Sequence, residues 1–191
     1  MMNILQERII KEGRVLPGDI IKVDGFMNHR VDVCLMRELA RDFKAHFAGK
    51  EITAVLTAAT SGIPIATITA EEFGVPLLFA KKNETRNIDG RFITAEAYSF
   101  TEARQRVLIV SAEWLHPDDK ILIVDDFMAN GEAIRALTDI VQKAGAELVG
   151  IGIAIEKGFQ GGGDRLRAKG IDVYSLAIIE KAEPGNIVFR E

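Results

Sequence analysis

Two adjacent carboxylates, Asp125 and Asp126, follow an apolar run at residues 121–124 and precede a short loop of small residues that includes Gly131. A helix is predicted directly after that loop. The first turn of a helix offers unpaired N–H groups and a favourable dipole to a phosphate. Carboxylates would repel the phosphate, but they accept hydrogen bonds from hydroxyl groups. The stretch therefore predicts a site for a sugar phosphate with free hydroxyls.

This loop differs from the common phosphate-binding motifs. It lacks the Gly-Lys-Ser/Thr ending of a Walker loop, and it does not match the dinucleotide fingerprint. For an isolated strand–acid–helix pattern, the alternative is that the acidic pair simply caps a turn. The full arrangement over residues 121–133 favours a functional site.

Two further polar segments follow predicted strands. Residues 60–62, Thr-Ser-Gly, come after a strand predicted at 52–57, and a lysine pair, Lys81 and Lys82, comes after one predicted at 75–80. Taken alone, the first segment is better interpreted as an ordinary polar turn, and the second is usually a solvated surface feature. Near an anion site, the loop would bind a second anion and a lysine would offset its charge.

Lys157 ends a strand predicted at 149–155. Its ammonium group has three donors and no acceptor, so it matches a ligand acceptor such as a carbonyl oxygen and mismatches a donor amine. A solvated lysine at a strand end is the alternative.

The elements that must position these residues alternate between apolar strands and amphipathic helices. This alternation predicts one α/β domain, residues 1–191, with a mainly parallel sheet. Helices are predicted at 3–12, 32–47, 64–73 and 133–143, and the second carries Leu35, Leu39, Phe43 and Phe47 on one face. β-like stretches at 91–100 and 106–111 predict a projecting hairpin.

Charge and composition exclude several classes of protein. The net charge is −4 with no basic stripe, so nucleic-acid binding is not expected. No apolar run is long enough to span a membrane, and the charged N-terminus does not match a signal peptide. The single cysteine, Cys34, lies among apolar residues and is expected to be a buried thiol in a reducing cytoplasm.

Residues 121–133 resemble the motif that binds 5-phosphoribosyl 1-pyrophosphate (PRPP) in the type I phosphoribosyltransferase family. Other segments occur in the order seen in the xanthine branch of that family, and the resemblance covers nearly the whole chain; these segments are 22–29, 60–63, 74–76, 79–82, 98–101 and 150–157. The resemblance implies a central parallel sheet flanked by helices. It also implies a hairpin flap at about 82–112 and a small hood built from about 1–30 and 157–191.

The resemblance also implies a role for each site residue. Asp125 and Asp126 would bind the ribose hydroxyls, Lys81 would offset pyrophosphate charge, and Tyr98 would belong to the flap that closes over PRPP. The expected PRPP-binding residues are Ala129, Asn130, Gly131, Glu132 and Ala133 for the 5-phosphate, and Thr60, Ser61 and Gly62 for the pyrophosphate. The expected xanthine-binding residues are Ile21, Asn28, Lys157 and Phe159.

Mg²⁺ is expected to bind mainly through PRPP and pyrophosphate oxygens, without a direct protein ligand. The implied partners are PRPP and a 6-oxopurine, and the implied assembly is a homodimer. Two positions depart from the family pattern. Ala129 stands where many 6-oxopurine transferases carry an aspartate, so no general base is predicted, and Ala59-Thr60 stands where the xanthine branch has Glu-Ser. The alternatives are a guanine/hypoxanthine transferase and a non-catalytic PRPP-sensing regulator.

Overall fold

The computed structural model describes the backbone of residues 2–82, 91–99 and 104–190, and of these the side chains of all but 98, 99 and 104–106. The helices are α1 (Ile4–Glu12), α2 (Val33–His46), α3 (Ile63–Phe73), α4 (Glu132–Ala144) and α5 (Gly162–Arg167), with a 3₁₀ turn at Gly158–Gln160. The strands are β1 (Arg14–Leu16), β2 (Ile20–Lys22), β3 (Ala54–Ala58), β4 (Leu77–Lys82), β5 (Phe92–Ser99), β6 (Arg104–Ser111), β7 (Lys120–Met128), β8 (Glu147–Lys157), β9 (Val173–Glu183) and β10 (Asn186–Phe189).

The central sheet has the order β10-β9-β8-β7-β3-β4-β6-β5. The neighbours from β9 to β4 are parallel, and antiparallel pairs close both edges. The expected α/β fold with a mainly parallel sheet is confirmed. The strand that contains the apolar run 121–124 extends further than the run itself, because β7 continues through the acidic pair to Met128 and stays paired with β8.

One face of the sheet is covered by α1, α2 and α3. Asp32 caps α2 by accepting a hydrogen bond from the backbone N–H of Leu35. Leu35, Leu39 and Phe43 are buried, as the helical spacing predicted. The expectation of a buried Cys34 is wrong: its side chain is exposed, because it lies one position before the inward-facing Leu35.

The opposite face is covered by α4. The helix begins after Gly131 and ends at Gly145, and both glycines have left-handed backbone angles, at φ +84° and +76°. Ile134, Leu137 and Ile140 are buried against alternate residues of β7. The helix that follows the acidic strand is therefore held firmly on the sheet.

The predicted hairpin is present as β5 and β6, which pair in antiparallel register from Phe92↔Ser111 to Ser99↔Arg104. It joins the central sheet through β6, which pairs with β4 at Lys81↔Ile109 and Lys82↔Leu108. Within the part of the chain that the structure describes, most of the hairpin extends beyond β4. The remainder of the expected flap, residues 83–90 and 100–103, lies outside the described residues.

The N-terminal segment adds a separate two-stranded sheet, β1 and β2. Strand β1 was not predicted, and neither was β10, which follows the turn at Gly185 and pairs with β9. The C-terminal strands β9 and β10 thus extend the central sheet. Among the residues that the structure describes, no helix combines the length and the apolar character needed to cross a membrane.

Candidate active site at the carboxyl ends of the strands

An open cleft of about 810 Å³ lies at the carboxyl ends of β3, β4, β7 and β8. In open α/β sheets, ligands bind beyond the carboxyl ends of the strands. The cleft brings together most of the residues predicted from the sequence: Ile21, Asn28, Ser61, Asp125, Asp126, Ala129, Asn130, Gly131, Glu132, Ala133 and Lys157 all line it.

The turn between β7 and α4, residues 129–133, forms one wall of the cleft. Gly131 is the N-terminal cap of α4 and has no side chain to cap the helix, and the backbone N–H of Glu132 donates only a long hydrogen bond, 3.4 Å, to the Asn130 side chain. The start of α4 therefore keeps N–H groups for a ligand, and the helix dipole makes the position favourable for an anion. The geometry suits a phosphate that enters the cleft from solvent.

Asp126 is almost fully buried, at 4% exposure, and it joins three segments of the cleft. Its carboxylate accepts hydrogen bonds from the Ser61 hydroxyl at 3.0 Å and from the Asn28 amide at 3.3 Å. The loop after β3 and the N-terminal segment therefore meet at this carboxylate. These neutral partners leave acceptor capacity on Asp126, since an ionised carboxylate accepts about four hydrogen bonds.

Asp125 is buried as well, at 5% exposure. Its Oδ1 accepts hydrogen bonds from the backbone N–H of Asp126 at 3.0 Å and from the Thr57 hydroxyl at 3.4 Å. Burial raises the pKa of Asp125 well above the usual aspartate range, and the neighbouring charge of Asp126 raises it further. A ligand with hydroxyl donors would relieve this unfavourable charge.

The loop after β3 approaches the acidic pair closely. A Cβ at Gly62 would lie 2.1 Å from Oδ1 of Asp125 and 2.2 Å from Oγ1 of Thr57, so only glycine fits there. Ala59 and Ser61 line the cleft, whereas Thr60 is exposed outside the lining and Gly62 is buried beneath it. The peptide bond between Ala59 and Thr60 is cis.

Lys157 lines the same cleft, at the end of β8. Its ammonium group donates a hydrogen bond of 2.8 Å to the carbonyl of Asp19, and partial burial lowers the pKa of this lysine. Two of its three donors remain for a ligand. The expectation that Phe159 faces the purine is not supported, because it is 37% exposed outside the cleft lining. The 3₁₀ turn after Lys157 instead places Gln160 on the wall.

The lysine placed next to the cleft also differs from the prediction. Side chains alternate across a strand. Along β4, Lys81 lies beside Phe79, its ammonium 5.7 Å from the ring centre, while Lys82 lines the cleft. Tyr98 belongs to β5 by its backbone, but its side chain is outside the described part of the structure.

Several cleft residues were not predicted, including Gln160, Ala97 and Leu108. Ala97 and Leu108 come from the hairpin, so the cleft extends beneath it. No motif in the sequence singles out small or apolar residues of this kind. The sequence does distinguish Lys82 from Lys81, because successive side chains of a strand point to opposite faces of the sheet. Only one of the two lysines of β4 can therefore face the cleft.

The strand order and the turn after an acidic β7 define a phosphoribosyltransferase fold. The chain belongs to the phosphoribosyltransferase family, since the family described as "Phosphoribosyl transferase domain" matches residues 32–180. Among curated proteins, a xanthine phosphoribosyltransferase of Ruminiclostridium cellulolyticum is 51% identical over 100% of both chains. One from Clostridioides difficile is 45% identical over 99% of this chain and all of its own. The resemblance stated from the sequence is confirmed.

Solved structures show the same fold. An adenine phosphoribosyltransferase of Trypanosoma brucei, in complex with AMP, pyrophosphate and ribose-5-phosphate, superposes with a TM-score of 0.75 at 19% identity, over 90% of this chain and 78% of that one. The enzyme from Giardia lamblia complexed with 9-deazaadenine gives 0.75 at 17% identity, over 92% and 97%. At these identities the likeness concerns the fold.

Proposed function

We propose that this chain is an enzyme of purine salvage that transfers the 5-phosphoribosyl group of PRPP to xanthine, giving xanthosine 5′-monophosphate (XMP) and pyrophosphate. One observation carries the proposal: the uncapped turn 129–133, the buried acidic pair and the Lys157 ammonium all line one cleft. The full-length relatives named xanthine phosphoribosyltransferase bear out the activity expected from the sequence.

The ribose 5-phosphate end of PRPP is assigned to the β7 side of the cleft. The 5-phosphate binds the backbone N–H groups of residues 129–133 at the start of α4. Asp125 and Asp126 accept hydrogen bonds from the 2- and 3-hydroxyls of the ribose. This arrangement keeps each carboxylate against a donor and away from the phosphate.

The pyrophosphate is assigned to the loop after β3. Ala59 and Ser61 lie on the cleft wall there, with Thr60 and Gly62 completing the loop. The role first given to Lys81, offsetting the pyrophosphate charge, passes in this proposal to Lys82, because Lys82 lines the cleft.

The purine is assigned to the end of the cleft that holds Lys157. The ammonium group donates to the 6-oxo acceptor, and the amide of Asn28 offers a donor and an acceptor to the edge that carries the 2-oxo group. Ile21, buried at 7% exposure, supplies an apolar contact for the ring. An exocyclic amine at position 6 would face the Lys157 donors, so adenine is disfavoured.

The reaction is a displacement at the anomeric carbon. The bond to pyrophosphate breaks with its electron pair leaving on the pyrophosphate oxygen, and a purine nitrogen forms the new bond through an oxocarbenium-like state while its proton passes to solvent water. The chain contributes by holding both reactants in line and by stabilising the departing charge. The hairpin, including Tyr98, is proposed as a flap that excludes water from the cationic sugar centre. With Ala129 at the turn, no side chain is assigned as general base.

Mg²⁺ is proposed to arrive with PRPP. Water and the oxygens of PRPP and pyrophosphate would serve as its ligands. In the described residues, no three His, Cys, Asp or Glu side chains converge into a metal cage. Asp125 and Asp126 are assigned to the ribose hydroxyls, so no side chain is assigned to the ion. The ion would supply positive charge to the leaving pyrophosphate.

A purine panel tests the proposal. The purified chain is incubated with PRPP, Mg²⁺ and xanthine, guanine, hypoxanthine or adenine, and pyrophosphate release is measured. We expect release with xanthine to be fastest. A preference for guanine or hypoxanthine would make this a transferase for those bases, which Lys157 would also accept. Binding of PRPP without release with any purine would indicate the regulator, and a preference for adenine would contradict the assignment of Lys157.

The assembly and location are proposed on the same basis. We propose a cytoplasmic homodimer that binds neither nucleic acid nor membrane, as the resemblance to the family implies. Light scattering coupled to size-exclusion chromatography would measure the mass in solution, and a monomer of 21.0 kDa would contradict the dimer.

A further inference from the structure

The glycine run 161–163 fits none of the roles above. The sequence favours a simple solvent turn over a hinge for it, yet the run lies against the rest of the site. Gly161 has a left-handed φ of +70°. A Cβ at Gly162 would lie 2.3 Å from the carbonyl oxygen of Ala129 and 2.8 Å from the backbone nitrogen of Gly131. Helix α5 therefore begins in direct backbone contact with the turn 129–133.

Arg165 adds a polar connection at the same place. Its guanidinium donates a hydrogen bond of 2.9 Å to the carbonyl of Asn130, in the turn, and one of 3.3 Å to the carbonyl of Gln160, in the 3₁₀ turn after Lys157. One side chain thus joins the end of the cleft that holds Lys157 to the turn that begins α4.

The turn itself has few internal contacts that would hold its shape. Gly131 offers no capping side chain to α4, and the Asn130 side chain accepts a long hydrogen bond, 3.4 Å, from the backbone N–H of Glu132. Its backbone position therefore depends on what packs against it from outside, and α5 supplies that contact.

A buried ion pair in turn holds helix α5 against strand β8. Glu156 is fully buried in β8, and Arg167 donates to its two oxygens at 3.0 and 2.7 Å. Ser175 donates to the same carboxylate at 2.5 Å. Gly163 lets the helix approach, since a Cβ there would lie 2.2 Å from Oε1 of Glu156. A paired and hydrogen-bonded buried carboxylate of this kind holds its partners in one geometry.

We propose that Gly162 and Arg165 are positioning residues that hold the turn 129–133 in the conformation that binds the 5-phosphate. The ion pair of Glu156 and Arg167 holds α5 in place for that purpose. The inference deepens the proposed function and rests on it, because it assigns the turn to the 5-phosphate.

The test compares two ligands that differ only in the 5-phosphate, XMP and the nucleoside xanthosine, by isothermal titration calorimetry on the whole chain. For Arg165→Ala we expect the ratio of XMP affinity to xanthosine affinity to fall about tenfold, as for loss of one charge-assisted hydrogen bond. The affinity for xanthosine should change less than about twofold. Arg165→Lys keeps a donor and should recover part of the ratio. The control Arg41→Ala removes a surface arginine that pairs with Glu38 on α2, and it should leave the ratio unchanged.

Gly162→Ala gives a second, independent measurement, because the added methyl group must displace the turn. The same ratio should fall by more than in Arg165→Ala. Equal losses for XMP and xanthosine in both variants would overturn the inference and leave α5 a purely structural role, as would an unchanged ratio. If the unaltered chain binds XMP no better than xanthosine, the assignment of the turn to phosphate fails first, and the inference fails with it.

Discussion

Ser61 donates a hydrogen bond of 3.0 Å to Asp126, and this contact joins the loop after β3 to the middle of the acidic strand β7. The two segments are assigned to adjoining parts of PRPP, the pyrophosphate and the ribose. Because the bond links them across 65 positions of the sequence, the distance between the two subsites is set before the substrate arrives. Such preorganisation lowers the cost of placing the reacting groups in line.

Asp126→Asn should weaken PRPP binding. The amide keeps the shape but loses the charge that strengthens hydrogen bonds from the ribose hydroxyls, each worth about 1.5–3 kcal/mol when one partner is ionised. We expect kcat/KM for PRPP to fall about 10- to 100-fold, with a smaller change in KM for xanthine. Steady-state kinetics measures both. Asp139→Asn, an exposed acid on α4 paired with Arg135, is the control and should leave both constants unaltered.

Asp125→Asn should stabilise the free chain while lowering activity. Burial raises the pKa of Asp125, so the folded state is penalised at every pH at which this carboxyl is ionised. The amide can keep the acceptor oxygen that Thr57 and the backbone N–H of Asp126 use. Each 1 kcal/mol gained raises Tm by roughly 2–4 °C for a chain of this size.

Scanning calorimetry across pH checks the origin of that gain. The variant should melt higher at neutral pH, and its advantage should shrink as pH falls through the raised pKa, because wild-type Asp125 then becomes neutral too. An equal or lower Tm for Asp125→Asn at neutral pH would show that the charge carries no penalty in the folded chain.

Lys157 should make xanthine binding sensitive to alkaline pH. Burial lowers the pKa of its ammonium group, so the donor charge is lost at a lower pH than for an ordinary lysine. We expect KM for xanthine to rise as pH passes through that lowered pKa, with little change in KM for PRPP. In Lys157→Met, KM for xanthine should be raised about tenfold or more at neutral pH, the size expected for a lost charged hydrogen bond, and this step of the pH profile should vanish. A step that persists in Lys157→Met would assign it to another group.

Gly62→Ala should destabilise the fold at the cleft. The added Cβ would overlap the Asp125 carboxylate and the Thr57 hydroxyl, and overpacking of this kind costs about 1–3 kcal/mol. Urea unfolding should show the loss. Gly25→Ala is the matched control, because nothing lies within 4 Å of a Cβ there, and its effect should stay within about 0.5 kcal/mol. Equal effects of the two substitutions would contradict the close approach at Gly62.

The parts of the fold that follow from hydrophobic period and helix caps could be read from the sequence. The inward face of α2 follows from the spacing of Leu35, Leu39 and Phe43, and the same period places Cys34 outside, contrary to the expectation drawn from its apolar neighbours. In this helix, the spacing of the apolar residues predicts burial better than the composition of the neighbouring residues does.

The features that could not be predicted from the sequence depend on contacts between separate segments of the chain. Strand β7 extends past the acidic pair because β8 pairs with it as far as Met128↔Glu156. The glycines at 162 and 163 are required by neighbours some thirty residues away, in the turn, and by Glu156 in the adjacent strand. Phe159 lies outside the cleft lining, in the 3₁₀ turn after Lys157, and no local signal in the sequence marks that turn.

A crystal structure of the chain with XMP would test the central claim most directly. The account predicts the phosphate against the backbone N–H groups of residues 129–133, the ribose hydroxyls on Asp125 and Asp126, and the 6-oxo group on Lys157. A nucleotide bound with its phosphate away from that turn, or with both carboxylates still bonded only to Ser61, Asn28 and Thr57, would contradict it.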